Sequence, residues 1–599
     1  MKRFQIYINN KEYSSWEFKN VHNEDVIDTD EYSFLKNVHP LKSKLFSRDI
    51  LCFDEDNVMT VERSILKSVD IIAGVLLLDG NKTYGRTDNN RRLLYQCIPD
   101  DKYLPTFLIP YDMKIGFSKK NTNKYVIFKY DHWKDKHPRG TLINVLGDVT
   151  SLDVFYEYQL YTKSLHVSLT QFTNNTRRVV DKVPYSQHIN KMLHNKNFNI
   201  IDKREKQVIT VDPHNSTDFD DALGIEPIYS DENMQTGWTV SVYIANVFLW
   251  LETLELWDTF SHRVSTIYLP DRKRPMLPSI LSDNLCSLHE KQDRFAFAMN
   301  VPLTMSGEID ETIDITYENV LINVYKNYRY EEVDLLYKEG IYSKLLDISY
   351  KMDDRIHNSH DVVAHWMILM NAITGIKMLN SKIGIFRSVI CTNESNLSLD
   401  KYSLKQDTKR VIVNWNNVSG HYINYHEDAV INHQLLGINN HTYLSQHIKG
   451  KNILPYVHIT SPIRRLIDLL NQIIVYSHYG LVTNITKKAE QFLTNWISKL
   501  DYINTAMRSI KKLQNDCTLL YNCISKPVYL NNLHTGVVFD KVRRNNGSFN
   551  YTVYLEDLHI MSRLTSHIDL CDFSLNKFKL YMFEGEHNIK RKIKLQLVE

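Results

Sequence analysis

Four aspartates, Asp212, Asp218, Asp220 and Asp221, fall within ten residues of the stretch VITVDPHNSTDFDDALGI, residues 208–225. No lysine or arginine lies between them, so their like charges repel unless something positive is supplied. Carboxylates at this density suit a hard cation such as Mg²⁺, which takes oxygen ligands and keeps several waters. They could also hold two ions about 3.5–4 Å apart, the geometry of phosphodiester cleavage. Val208–Val211 reads as a strand, and Pro213 ends it by removing a ladder donor. The aspartates then sit on a strand-end loop, where functional groups concentrate. A solvated turn is the competing reading, because Asp, Asn and Ser favour turns through local hydrogen bonds. An EF-hand is excluded: counted from Asp218, Gly224 comes one place late and Tyr229 stands where the ligand glutamate is required.

A second segment carries the opposite charge. In HITSPIRRLIDLL, residues 458–470, Ser461 is a good helix N-cap and Pro462 suits the first helical position. This predicts Arg464 and Arg465 in the first helical turn. Cations there oppose the helix dipole unless an anion is present. A helix start bearing arginine is a natural phosphate site. The alternative is that these arginines pair with surface carboxylates or stay solvated. Taken together, a dense carboxylate loop and an arginine-bearing segment point to phosphate-transfer chemistry.

The elements that must position these groups follow from the rest of the chain. Its 599 residues are too many for one typical domain and suggest about three to five. Hydrophobic content of 43% and charged content of 24% are those of a globular protein. The net charge of +2 excludes a global polycation, so nucleic-acid binding requires a local basic surface or channel. Seven scattered cysteines without a CxxC pair fit a reducing compartment and argue against structural zinc. The N-terminus MKRFQIYINNKEY lacks the apolar region of a secretory signal, and no apolar run reaches about 18 residues. We therefore expect no membrane partner and a cytoplasmic location, which would be the host cytoplasm for a viral protein. No G-x4-G-K-[ST] loop is present, which makes a nucleotide triphosphate an unexpected ligand.

Short alternating runs such as FQIYIN, DIIAGVLLL, PTFLIPY and KYVIFKY make the first two hundred residues β-rich and suggest small barrels. The middle adds helical patterns in HDVVAHWMILMNAITGIKML and SPIRRLIDLLNQIIVYSHYG. Strands return at TGVVFDKV, NYTVYLEDL and IKRKIKLQLV. No 20–50-residue repeat is present, which argues against a solenoid. The aromatic stretch FLWLETLELW, 248–257, reads as core. His360 and His365 stand five apart, off the spacing of a ligand pair, and read as structural or surface residues.

The segment Asp212-Pro213 through Asp218, Asp220, Asp221 and Ala222 resembles the acidic motif of the ribonuclease II/RNB exoribonucleases, which include ribonuclease R and the exosome catalytic subunit. HITSPIRR resembles that family's arginine element, and STIYLPDRKRPMLPSILSDNLCSL (265–288) its tyrosine-containing block. WMILMN (366–371) is similar to its helix ending in asparagine, and the blocks keep the family's order. KYVIFKYDHWKDKHPRGTLINVLGDV, at 124–149, resembles the second cold-shock-type barrel. The resemblance implies a multidomain α/β plus β architecture with a central mixed α/β RNB catalytic domain flanked by OB-fold barrels. Its expected parts are a divergent cold-shock-type barrel at 1–70, a second at 71–195, the catalytic domain at 196–522 and a C-terminal RNA-binding barrel at 523–599. The extra endonuclease domain of the exosome subunit has no room in this arrangement.

The resemblance also implies activity: processive 3′→5′ hydrolysis of single-stranded RNA to 5′-mononucleotides by a Mg²⁺-dependent mechanism, expected to use two ions, with Mn²⁺ as a substitute. Asp212, Asp218, Asp220 and Asp221 match the metal positions, and Asp220 is the position whose loss stops chemistry with binding retained. Arg464 matches the catalytic arginine, Arg465 a supporting phosphate contact or a structural residue, and Tyr268 the tyrosine against the last bases; a core tyrosine is the alternative for Tyr268. A monomer without an exosome-like partner complex is expected. Three departures stand out. The family's HIADVS reads Tyr243-Ile244-Ala245-Asn246-Val247-Phe248 here, Ala364 and His365 stand where a glutamate is usual, and the later glutamate has no clear match in SIKKLQNDCTLLYN. A catalytically inactive RNA-binding protein of the same fold is therefore the alternative.

Overall fold

The computed structural model describes residues 2–87, 91–112, 121–332, 340–388, 399–405, 407–409, 411–412, 420–427, 455–544 and 546–598. Strands Lys2–Ile8, Trp16–Asn20, Ile50–Phe53 and Met59–Arg63 form a four-stranded antiparallel sheet. The alternation in KRFQIYI puts Phe4, Ile6 and Ile8 on its buried face. In the place of the first expected barrel, the described residues thus form an open sheet. Its apolar face is covered both by its own segment, with Phe4 against Tyr32, Phe34 and Phe53, and by the neighbouring domain. Phe4, Ile6, Phe18 and Leu51 share one hydrophobic cluster with Leu76, Cys97, Phe107, Phe128 and Trp133.

Those partners belong to a closed five-stranded barrel of Ile72–Leu76, Leu93–Pro99, Phe107–Tyr111, Arg139–Asp148 and Lys124–His132. Phe128 is fully buried, and Trp133 packs 5.0 Å from Phe46, so both are core residues. On the barrel's other side Val75, Tyr125 and Ile127 join the central core, where Tyr125 stacks on Tyr158 at 4.3 Å. Tyr158 lies on the helix Leu152–Thr162, which begins the connection to the central domain.

The central sheet has seven strands in the order Ile200–Asp202, Thr316–Asn323, Asp293–Thr304, Gln235–Ala245, Asp221–Tyr229, Ile209–Asp212 and Lys326–Arg329. Its outermost pairs are parallel and the inner ones antiparallel. The ends of Ile209–Asp212 and Asp221–Tyr229 flank the acidic loop, so the sheet fixes where the aspartates emerge. Phe248, Leu249, Trp250 and Leu251 are buried, as expected for core.

The helix Ser359–Asn380 is long and apolar enough by length and composition to cross a membrane, although polar residues interrupt its apolar sequence. It packs as a core helix, with 67% of its most apolar window buried. WMILMN does not end it: Asn371 lies in its interior. Gly375 permits a close crossing, because a Cβ there would stand 2.7 Å from the Pro455 carbonyl oxygen. Strands Leu533–Arg543, Phe549–Leu555, Ile560–Ser566, Leu575–Glu584 and Arg591–Val598 form the C-terminal five-stranded antiparallel sheet around Val538, Tyr551, Val553 and Phe578. The Tyr125 hydroxyl of the barrel donates to the Asn588 carbonyl at 2.6 Å and ties this sheet back to the N-terminal half.

Candidate active site

The strand Ile209–Asp212 is buried along its length, and its last residue opens the acidic loop. The Asp212 carbonyl accepts from the Tyr330 N–H at 3.1 Å, which anchors the strand end. Its carboxylate Oδ2 is buried and has no hydrogen-bond partner. Asp220 is also buried: Oδ1 accepts from the Ile463 N–H at 2.9 Å and Oδ2 from Arg464 Nε at 3.1 Å. Burial pushes the carboxyls of Asp212, Asp220 and Asp221 each up to about 7. Repulsion from Asp212 adds to the rise at Asp221, whereas Arg464 opposes the rise at Asp220. The rise is mainly the cost of burying charged carboxylates, which the nearby arginines only partly offset.

The arginine segment reaches this site by a different local structure from the one its sequence suggests. The helix begins at Leu466 and runs to His478, with Arg465 in extended backbone at the N-cap position. Residues 461–464 form a turn in which the Ser461 carbonyl accepts from the N–H groups of Arg464 and Arg465. Tertiary bonds explain the shift. Asp220 takes the Ile463 N–H, Asp468 takes the Ser461 N–H at 2.8 Å, and residues 464–466 pair with 264–266 through Thr266 N–H to Arg464 O and Leu466 N–H to Val264 O. The N–H groups of this turn are thus met by Asp220 from the acidic loop and by Asp468 from the helix's own first turn.

The two arginines consequently part company. Arg464 lies over Asp220 with its side chain 45% exposed; Nε donates to Asp220 and Nη2 to the Ser461 hydroxyl at 3.0 Å, and its exposed side is where a phosphate could approach. Arg465 donates to Asp468, a fully buried carboxylate, at 2.8 Å. That places Arg465 in a buried ion pair with Asp468, from which its charge still lowers the rise at Asp221. The segment behind them is held by Asn371, whose Oδ1 accepts from the Ile459 N–H at 3.0 Å and whose Nδ2 donates to the Tyr456 hydroxyl at 3.1 Å.

Tyr268 is 43% exposed, which rules out the core alternative. It lies in the short strand Ile267–Tyr268, paired with Lys273–Arg274, and its N–H donates to Gln514 Oε1 at 2.9 Å. Burial and then the Asp218 charge push its phenol up to about 12, so it faces the acidic loop as a neutral ring.

Asp218 lies close enough to Asp220 for its charge to raise the Asp220 carboxyl, but it is paired to a lysine. Lys273 Nζ donates to its Oδ1 at 2.9 Å, to Asp283 Oδ1 at 2.9 Å and to Thr217 Oγ1 at 2.5 Å.

Four residues near the site had no signal in sequence spacing. Lys273 is one. Gln514, in the segment where the family's glutamate had no clear match, is the second. Arg329 donates to the Pro213 carbonyl at 3.2 Å and lies over the Phe219 ring at 5.3 Å. Tyr330 is pushed up to about 12 by burial and then by the charges of Asp221 and Asp212. Arg329 ends, and Tyr330 follows, a short edge strand whose pairing with Ile209–Asp212 becomes visible only in the folded sheet.

Of the departures from the family pattern, Gln514 meets Tyr268, and the segment holding Asn246 runs beside the acidic loop, with the Ala245 N–H donating to the Asp220 carbonyl at 2.8 Å. Asn246 is fully buried; its Oδ1 accepts from the Leu249 N–H at 3.1 Å and its Nδ2 donates to Asn319 Oδ1 at 3.2 Å. It caps the helix Val247–Thr253, a task Asn and Asp perform about equally well. His365 is buried edge-on to Trp366, whereas exposed His360 sits 5.3 Å from the Tyr330 ring.

The donor set can be tested against a divalent cation. Among the described residues, no three His, Cys, Asp or Glu side chains are gathered as a ready metal cage. Arg464 holds Asp220 and Lys273 holds Asp218. What remains is Asp212 with its unpartnered buried oxygen, beside Asp221. This fits one hard ion bound through one or two carboxylates, water and a substrate phosphate.

Residues 200–345 match the RNB domain model. Ribonuclease R of Chlamydia pneumoniae is 24% identical over 426 residues, covering 61% of this chain and 59% of that protein. The chain matches between 16% and 59% of the length of the first curated relatives, which is less than two thirds of any of them. The apo structure of Mycoplasma genitalium RNase R superposes with a TM-score of 0.67 at 16% identity, covering 100% of both chains. Yeast Ssd1, described as a pseudonuclease, superposes at 0.54 with 13% identity, covering 96% of this chain and 80% of that one. The chain therefore contains an RNB domain and has the multidomain fold of ribonuclease R.

Proposed function

We propose that this chain is a divalent-metal-dependent exoribonuclease that shortens single-stranded RNA from its 3′ end and releases 5′-mononucleotides. One observation carries the reading. The half-exposed guanidinium of Arg464 meets Asp220 at 3.1 Å beside the buried Asp212 and the half-buried Asp221. A phosphodiester drawn in by Arg464 would lie near Asp212, whose buried Oδ2 has no hydrogen-bond partner. In this reading Tyr268 packs on a terminal base, since exposed aromatic rings stack on any base. Arg464 stabilises charge that grows on the scissile phosphate. Asp220 orients Arg464 and, with the Ile463 N–H, fixes the turn that carries it. Asp212 and Asp221 would hold Mg²⁺ or Mn²⁺, which when bound neutralises phosphate charge and makes water a stronger acid. The protein is proposed to act as a monomer in a reducing, cytoplasmic setting.

The test is 5′-labelled single-stranded RNA incubated with the protein and Mg²⁺, beside an Asp220→Asn control and the same sequence as DNA. The reading expects RNA shortened from the 3′ end by wild type alone. Tight RNA binding with intact RNA in both samples sinks it. That outcome supports the second reading, an RNA-binding protein without nuclease activity. The second reading is favoured by one observation, the lysine ammonium inserted among the acidic side chains.

A further inference from the structure

Lys273 enters the acidic loop from a position 52 residues beyond the last of its four aspartates, Asp221. An ammonium has three donors and no acceptor. All three are used here, on Thr217 Oγ1 at 2.5 Å, Asp218 Oδ1 at 2.9 Å and Asp283 Oδ1 at 2.9 Å. Asp283 is itself held by the Ser282 hydroxyl at 2.8 Å. The backbone that carries Lys273 is fixed on both sides. It pairs with Tyr268 across the hairpin, and the next residue, Arg274, is buried and donates to Asp271 at 2.8 Å and Glu157 at 3.2 Å. The ammonium is therefore delivered to one place by a rigid hairpin, and it meets two carboxylates and a hydroxyl, all hard oxygen donors of the kind a divalent ion takes.

We propose that Lys273 is a tethered cation that occupies the second ion place of the site, so that the chain takes one divalent ion, at Asp212 and Asp221, instead of two. This rests on the metal-dependent reading given under Proposed function. A divalent ion entering between Asp218 and Asp283 must expel an ammonium that is covalently attached and already paid for in binding entropy. Nothing comparable guards Asp212, whose Oδ2 has no donor. Lys273 is thus a positioning residue. It fixes Asp218 and the Thr217 turn, and it supplies through the chain the charge that a second ion would otherwise bring.

The experiment counts ions on the intact, RNA-free protein by Mn²⁺ titration with electron paramagnetic resonance detection of free Mn²⁺. Wild type and Lys273→Arg should each take one Mn²⁺ per chain. Lys273→Met should take two, the second at least about tenfold tighter than any second event in wild type. Lys273→Gln keeps a donor without the charge; it should also take two and stands in should the methionine variant fail to fold, as judged by thermal melting. A wild type that takes two ions, or uncharged variants that still take one with unchanged affinity, overturns the inference and leaves the exoribonuclease reading standing. A wild type that takes none overturns both.

Discussion

Arg464 Nε donates to Asp220 Oδ2 at 3.1 Å while the adjacent Ile463 N–H donates to Asp220 Oδ1 at 2.9 Å, so one carboxylate fixes both the backbone and the guanidinium of the arginine turn. Asp220→Asn keeps the volume and an oxygen for Ile463 but removes the charge that Arg464 leans on. Single-turnover cleavage should fall by about 10²-fold or more, the scale of losing one pre-organised electrostatic contact. Filter binding of single-stranded RNA should be retained. The melting temperature at pH 8 should not fall, because the substitution removes a carboxylate whose ionised form is disfavoured by burial. Cleavage at the wild-type rate would remove Asp220 from the mechanism.

The two neighbouring arginines should separate in opposite directions. Arg464→Lys restores a point charge without the Nε geometry, so cleavage should drop by about 10²–10³-fold with little change in stability. Arg465→Ala leaves the fully buried Asp468 without its cation and should lower stability by about 3–5 kcal/mol in chemical denaturation. Assayed well below its melting temperature, the Arg465 variant should retain more activity than the Arg464 variant. The reverse ranking would mean that Arg465 contacts substrate.

How much of this was legible in the sequence follows from where the interactions lie. Asp212 to Asp221 form one loop between two strands, so their types and spacing alone pointed to a cation or phosphate centre. The fold class was legible through short blocks in a fixed order. The start of the arginine helix was not. Ser461 and Pro462 are good local signals, but Asp220 and Asp468 compete for the same N–H groups and win, which moves the helix start to Leu466. Lys273 and Gln514 were hidden for the same reason: each meets its partner across a long stretch of chain. Asn246 misled in the other direction, since a change of residue type that looked catalytic proved to be one helix cap exchanged for another.

Protonation of the aspartates predicts a pH dependence whose sign depends on metal. Asp212, Asp220 and Asp221 rise from 3.8 to about 7 on folding. Between those values the folded chain binds more protons than the unfolded one, so metal-free stability should fall as pH rises from about 4 to 7. A divalent ion needs the deprotonated carboxylates, so its apparent affinity should rise over the same window. Melting temperature with and without Mg²⁺, measured at pH 5.5 and 8, should show the larger Mg²⁺-induced increase at pH 8. An equal or smaller increase at pH 8 would argue that the ion binds elsewhere.

The C-terminal sheet offers a surface for RNA outside the catalytic domain. In the antiparallel pair Leu575–Glu584 and Arg591–Val598, Tyr581 faces Lys594 and Phe583 faces Lys592. Both rings are exposed, and Lys594 Nζ lies 4.1 Å from the Phe583 centroid. Alternating aromatic and basic residues on one face suit a single strand. Tyr581→Ala and Phe583→Ala should each weaken binding of a long single-stranded RNA by about 1–3 kcal/mol if a base stacks there. Lys592→Gln and Lys594→Gln should each flatten the slope of log K against log salt by about 0.7 if the lysine meets a phosphate. Unchanged affinity in all four would remove this face from the RNA path.

Asn371 tests whether the catalytic turn is set from behind. Its side chain bonds the Ile459 N–H at 3.0 Å and the Tyr456 hydroxyl at 3.1 Å, and one helical turn on, Gly375 lets the Pro455 carbonyl come within 2.7 Å of the place of a Cβ. Asn371→Leu preserves volume but strands a buried N–H, at a cost of about 1–3 kcal/mol. Gly375→Ala leaves every hydrogen bond its partner but pushes the same strand away by backbone contact. The two changes are chemically unrelated and share only the segment they displace. Both should therefore raise hydrogen exchange at residues 456–461 and lower the cleavage rate, with RNA affinity kept, since neither touches the exposed Tyr268 ring or the C-terminal sheet. Faster exchange with full cleavage would show that Asp220 alone suffices to hold Arg464 in place.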